Sequence, residues 1–162
     1  MHGNPITVEG TVIETGSKFP EFTLTGTDMQ DLSNSDFNDK IMVIAVVPSL
    51  DTPVCDTEIR TFNEKASKLS SDVILLTVSR DLPFAQARWC GAASIDRVIT
   101  ASDYKHRTFG QQTGTEWIDS ALLTRAVFVV GKDGLTKHVE YVDSIEMEPD
   151  YDTALASIQL AL

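Results

Sequence analysis

The chain has 162 residues, 42% apolar and 23% charged, with a formal net charge of −11. That length suits one domain over 1–162 with its own core, and the composition excludes disordered, collagen-like and disulfide-stapled classes. The 13 lysines and arginines are scattered rather than clustered, which argues against nucleic acid or an anionic membrane as partner.

Taken in chain order, Ile6 to Ile13 alternates loosely around Gly10 and reads as an N-terminal β-hairpin. Phe19 to Leu24 reads as a short strand. Ile41 to Val47 is an unbroken apolar run, the pattern of a central strand covered on both faces. Extended to Pro48 it is the longest such run, far short of the roughly 20 residues of a membrane-spanning helix. A helix follows, with Ile59, Phe62, Ala66 and Leu69 on one stripe. Val73 to Val78 is a second buried strand. A short helix is expected from about Pro83 through Phe84, Ala87 and Cys90, and another over Tyr104 to Gln111. Ala126 to Val130 is a third buried strand. It turns through Gly131-Lys-Asp-Gly134 into a hairpin partner over Leu135 to Val142. The last helix covers Tyr151 to Leu162, with Ala154, Leu155, Ile158 and Leu162 on one side. Strands alternating with helices imply parallel pairing, and the closing hairpin makes the sheet mixed. The expected fold is α/β and thioredoxin-like, a central mixed sheet flanked by helices.

The opening residues, Met1 to Gly10, carry neither a basic head nor an apolar stretch, so a cytoplasmic location is expected. In a reducing compartment two cysteines serve more often as free or redox-active thiols than as a structural bridge. His2, His106 and His138 show no ligand spacing among themselves or with the cysteines, so neither a metal nor another cofactor is expected.

The stretch from Pro48 to Arg60, Pro-Ser-Leu-Asp-Thr-Pro-Val-Cys-Asp-Thr-Glu-Ile-Arg, carries the most information. Thr52 suits the N-cap of a helix, and Pro53 suits its first position. Cys55 then falls third in the helix, where free N–H groups and the positive end of the helix dipole favour an anion. A thiolate is such an anion, and it is the nucleophilic form of cysteine. Cys55 also lies four residues before Ile59, on the stripe that faces the core. The same position would suit a small buried packing residue, and the local pattern serves either reading.

Pro48-x-x-x-Thr52-x-x-Cys55 resembles the active-site pattern of the peroxiredoxins, and Pro-Ser-Leu-Asp-Thr-Pro-Val-Cys resembles their thiol peroxidase branch, the atypical two-cysteine enzymes. Other segments resemble that branch in the same order: Gly3-Asn-Pro, Asp81-Leu-Pro-Phe-Ala-Gln-Ala-Arg-Trp-Cys90, Arg125-Ala-Val-Phe-Val and Glu148-Pro-Asp-Tyr-Asp-Thr-Ala-Leu. The resemblance implies that Cys55 attacks the hydroperoxide and becomes a sulfenic acid, and that Cys90 resolves it as an intramolecular disulfide. It implies that Thr52 and Arg125 flank the sulfur and that Pro48 shields it. A thioredoxin-like dithiol protein would recycle the enzyme, which would be a homodimer. Val54, Leu82 and Phe84 would form an apolar collar for the substrate, hydrogen peroxide or an organic hydroperoxide. A peroxide-sensing switch acting through a protein partner is the alternative on the same cysteines. Two departures stand out. The stretch Trp117 to Thr124 is shorter than in the family and lacks its usual Gly-Pro, and Trp89 stands where the family usually has Phe.

Overall fold

In the computed structural model, residues 1–66, 68–95 and 97–162 are described. The strands are β1 (Val8–Glu9), β2 (Thr23–Gly26), β3 (Asp31–Ser33), β4 (Ile41–Val46), β5 (Val73–Ser79), β6 (Val98–Ser102), β7 (Glu116–Trp117), β8 (Leu122–Leu123), β9 (Ala126–Val130) and β10 (Thr136–Tyr141). The helices are α1 (Pro53–Ala66), α2 (Pro83–Ala93), α3 (Phe109–Thr113) and α4 (Tyr151–Ala156). A mixed seven-stranded sheet runs in the order β10-β9-β4-β5-β6-β2-β3. β4, β5 and β6 are parallel, and the other neighbours pair antiparallel. This is the central mixed sheet flanked by helices that the strand–helix alternation implies.

The unbroken apolar run of β4 has a simple cause. Ile41, Val43 and Ala45 join a core layer that holds Cys55, Ile59 and Phe62 of α1 and Trp89 of α2, together with Ala154 of α4. Met42, Ile44 and Val46 point the other way, into a layer with Phe19, Phe22, Phe109 and Phe128. A strand covered on both faces has no side to leave polar. Leu69 packs against the first layer from beyond the end of α1, so the expected helical stripe stops short of it; the side chain of Ala66 lies outside the described residues.

Four expectations need correction. Of the strand expected over Phe19 to Leu24 only Thr23 and Leu24 are extended in a strand, β2, which runs on to Gly26. Ile6 to Ile13 forms no hairpin of its own. Instead β1 pairs antiparallel with β7, which pairs in turn with β8. Gly10 is required for close approach rather than for a turn: its φ is +117°, and an added Cβ would stand 2.6 Å from the Gln111 carbonyl oxygen. Thr11 N–H donates to that same oxygen at 2.8 Å. The helix expected over Tyr104 to Gln111 starts later, as α3. Arg107, at φ +55°, breaks the helical path, and the Asp103 carboxylate accepts from Phe109 N–H at 3.1 Å. The last helix becomes a 3-10 helix at Ser157–Leu160. At three residues per turn the inward position after Ile158 falls on Ala161 rather than Leu162. Accordingly Ala161 is buried and Leu162 exposed.

Gly10→Ala should lower unfolding stability by about 2 kcal/mol, from a strained positive φ and a backbone clash. Urea unfolding checks this, and an unchanged midpoint would show that the contact with α3 carries no weight.

Candidate active site

Two features of the sheet bring the expected site residues together. β4 ends at Val46, and the chain runs on through Pro48 to open α1 at Pro53. β9 lies antiparallel beside β4 with Ala126 opposite Val46, so Arg125, the residue before β9, sits at the same end of the sheet. The Thr52 carbonyl accepts from Asp56 N–H at 2.9 Å, the first bond of the helix. Cys55 is therefore third in α1, among the N–H groups that have no partner within the helix.

Cys55 is fully buried, and Arg125 is 1% exposed. Arg125 Nη2 donates to the Cys55 sulfur at 3.3 Å and to the Ile145 carbonyl at 2.8 Å. Its Nη1 donates to Glu58 Oε2. A guanidinium with no water around it needs such partners, and it favours the anionic form of whatever it touches. Glu58 is also fully buried. Burial pushes its carboxyl up to about 7, against the pull of Arg125.

Thr52 is oriented by its own loop rather than by capping the helix with its side chain. Its hydroxyl donates to the Ser49 carbonyl at 3.0 Å, and its N–H donates there at 3.2 Å. Asp81 pins this loop from below, accepting from the Ser49 hydroxyl at 2.7 Å and from Leu50 N–H at 2.8 Å. Pro48, Thr52, Val54 and Arg125 line a cleft of about 520 Å³ together with Trp117 and Leu122. Cys55 does not reach the cleft surface; Arg125 spans from the wall to the sulfur.

Leu82 and Phe84 do not join this wall. They are 52% and 67% exposed at the start of α2, because that helix turns Pro83, Gln86 and Trp89 inward instead. The collar of Val54, Leu82 and Phe84 is thus reduced to Val54, and Trp117 and Leu122 of the β7–β8 hairpin supply the apolar wall. Cys90 is apart from Cys55. It is a half-buried free thiol on α2 whose sulfur lies 3.7 Å from the Thr100 hydroxyl on β6. Burial pushes this thiol up from its ordinary range, with Thr100 opposing.

Glu58, Asp81 and the β7–β8 wall were not singled out from the sequence. Glu58 had a readable signal: it lies three residues after Cys55, so a charge sits on the apolar side of α1. The hairpin wall is long-range in origin, and two-residue strands leave no pattern to read.

The redoxin family model matches residues 14–155. The thiol peroxidase of Streptococcus pneumoniae is 45% identical over 155 residues, covering 96% of this chain and 94% of that one. The thiol peroxidase of Clostridium acetobutylicum is 43% identical over 159 residues, covering 98% and 96%. Among solved structures, a peroxiredoxin-like protein from Aquifex aeolicus superposes with a TM-score of 0.92 at 36% identity, covering 99% of this chain and 95% of that chain. The chain belongs to the redoxin family. Within that family it is a peroxiredoxin-type thiol peroxidase with a thioredoxin-like fold.

Raising the Glu58 carboxyl means that the folded state holds its proton more tightly than the unfolded state does. This contribution to stability is complete below the ordinary value of 4.5 and is lost as pH rises toward about 7. At its steepest the loss is about 1.4 kcal/mol per pH unit for one proton. Glu58→Gln should remove that slope. Unfolding curves across this window check it, and equal slopes in the two proteins would contradict it.

Proposed function

We propose that this enzyme reduces hydroperoxides with Cys55, closes a disulfide to Cys90 and is recycled by a thioredoxin-like dithiol protein. The observation that carries this reading is the 3.3 Å hydrogen bond from buried Arg125 to the Cys55 sulfur at the opening turn of α1. In the first step the Cys55 thiolate attacks one peroxide oxygen. The O–O bond breaks, an S–O bond forms, and the sulfur loses two electrons to become a sulfenic acid. The departing oxygen takes a proton and leaves as water or an alcohol. Arg125 stabilises both the thiolate and the charge that develops on the leaving oxygen. The Thr52 hydroxyl, which already donates to Ser49, keeps its lone pairs for a hydrogen bond from the peroxide. Pro48 closes one wall against water.

In the second step the Cys90 thiol displaces water from the sulfenic acid and forms the disulfide. A dithiol protein then gives two electrons and two protons by thiol–disulfide exchange, restoring both cysteines. The apolar cleft wall of Pro48, Val54, Trp117 and Leu122 suits the organic group of an alkyl hydroperoxide, and hydrogen peroxide needs no such group. The family resemblance supports a homodimer acting in the cytoplasm, with residues 1–162 as one domain in each subunit.

Disulfide formation requires movement. Cys55 is engaged beside β9 and Cys90 beside β6, three strands apart in the order β9-β4-β5-β6. At about 4.8 Å per strand their partners stand roughly 14 Å apart. Bridged cysteines need Cα atoms within about 7 Å. The opening turn of α1 and the middle of α2 must therefore unwind locally.

Steady-state assays with hydrogen peroxide and an alkyl hydroperoxide, supplied with a thioredoxin system, test the reading. Catalytic turnover is expected, with none in Cys55→Ser and a single turnover per chain in Cys90→Ser. Arg125→Met should lower the rate of peroxide attack by roughly 100-fold. Full turnover in Cys55→Ser would overturn the assignment. Hydrogen exchange should also rise in the oxidised form over residues 52–60 and 84–94. Equal protection in both redox states would refute the rearrangement.

A further inference from the structure

The residue after Cys55 and the residue before Cys90 are bonded to one another. Trp89 Nε1 donates to Asp56 Oδ1 at 2.9 Å. Arg60, one turn along α1, fixes the other carboxylate oxygen, with Nε donating to Asp56 Oδ2 at 2.8 Å. The same guanidinium stands 5.7 Å over the Trp89 ring and donates through Nη1 to the Ala93 carbonyl at 3.3 Å. Trp89 is 8% exposed, while the Asp56 and Arg60 side chains stand at the surface at 35% and 49%; a hydrogen bond to a charged acceptor is stronger than one to a neutral acceptor. The Arg60 hydrogen bond, aided by Trp89, holds the Asp56 carboxyl below the usual carboxylate range, so the acceptor stays charged at neutral pH.

This contact ties α1 to α2 where the two must part. α2 itself is weakened there by Gly91, whose missing Cβ would meet nothing within 4 Å; glycine in a helix interior favours the unwound chain. Phenylalanine in this position would offer no N–H to make the bond. We propose that Asp56, Arg60 and Trp89 form a latch between the two cysteine-bearing helices, and that its opening sets the rate at which Cys90 reaches the Cys55 sulfenic acid. The inference rests on the disulfide cycle proposed above and goes beyond it, because it assigns the pace of the second step to residues that touch neither peroxide nor sulfur.

The latch also sets how the enzyme fails. While it is closed, the sulfenic acid waits. A second hydroperoxide can then oxidise it to a sulfinic acid, with transfer of one oxygen atom, loss of two more electrons from sulfur and release of water or an alcohol. A tighter latch favours this inactivation, and a looser one favours the disulfide.

Rapid mixing of the reduced protein with hydrogen peroxide, acid quenching and mass analysis separate the two steps. Sulfenic acid formation depends on peroxide concentration, and disulfide closure does not. Trp89→Phe keeps an aromatic ring in the core and loses the hydrogen bond. Asp56→Ala leaves the core untouched and removes the acceptor. Both are expected to close the disulfide about five- to tenfold faster, the effect of losing one such hydrogen bond from the closed state. Sulfenic acid formation should be unchanged, and more peroxide should be needed to yield sulfinic acid. Closure at the wild-type rate, or slower, in either variant that still unfolds cooperatively in urea overturns the latch alone. A wild-type protein that takes up oxygen yet never joins Cys55 to Cys90 overturns the disulfide cycle, and the latch with it.

Discussion

The site depends on a buried guanidinium held between two buried partners, the Cys55 sulfur and the Glu58 carboxyl. Removing such charged groups from water costs several kcal/mol each unless they satisfy one another. Arg125 meets part of that demand, its two terminal nitrogens donating to Glu58, Cys55 and the Ile145 carbonyl, while its Nε and Glu58 Oε1 are buried with no hydrogen-bond partner among the described residues. The helix start adds partial positive charge on the other side of the sulfur. Two sources of positive potential therefore converge on one atom, and the low-polarity surroundings strengthen both.

The sheet makes this convergence possible. Parallel β4 and β5 send α1 across one face, and antiparallel β9 brings Arg125 to the end of the sheet where α1 begins. Neither element could supply the pair alone. Asp81 then ties the loop before α1 to the entry of α2, since its carboxylate holds Ser49 and Leu50 while its own chain leads into Pro83. The segments carrying Cys55 and Cys90 share one anchor at their bases, and the contacts above it are the ones that would open in the proposed disulfide cycle.

Much of this was legible in the sequence because it is local. Thr52-Pro53 fixes where α1 begins, and that alone places Cys55. The doubled apolar faces of β4, β5 and β9 mark the buried centre of the sheet. What could not be read was set by distant partners. Gly10 reads as a turn residue, yet it serves the approach of α3. β6 carries Thr100 and Ser102 among its buried residues and so lacks an apolar signature. Trp117 and Leu122 become a cleft wall only through a hairpin of two-residue strands, and Leu82 and Phe84 look like pocket residues until the facing of α2 is known. Trp89 was visible as a departure from the family, but its meaning required the position of Asp56.

The central claim is that the sulfur held by Arg125 receives the first oxygen. Trapping with a sulfenic-acid-specific carbon nucleophile, after one equivalent of hydrogen peroxide, tests it most directly in the two single-cysteine proteins. Cys90→Ser should take up one label per chain, on Cys55, and Cys55→Ser should take up none. Equal labelling of Cys90 in the Cys55→Ser protein would contradict the account.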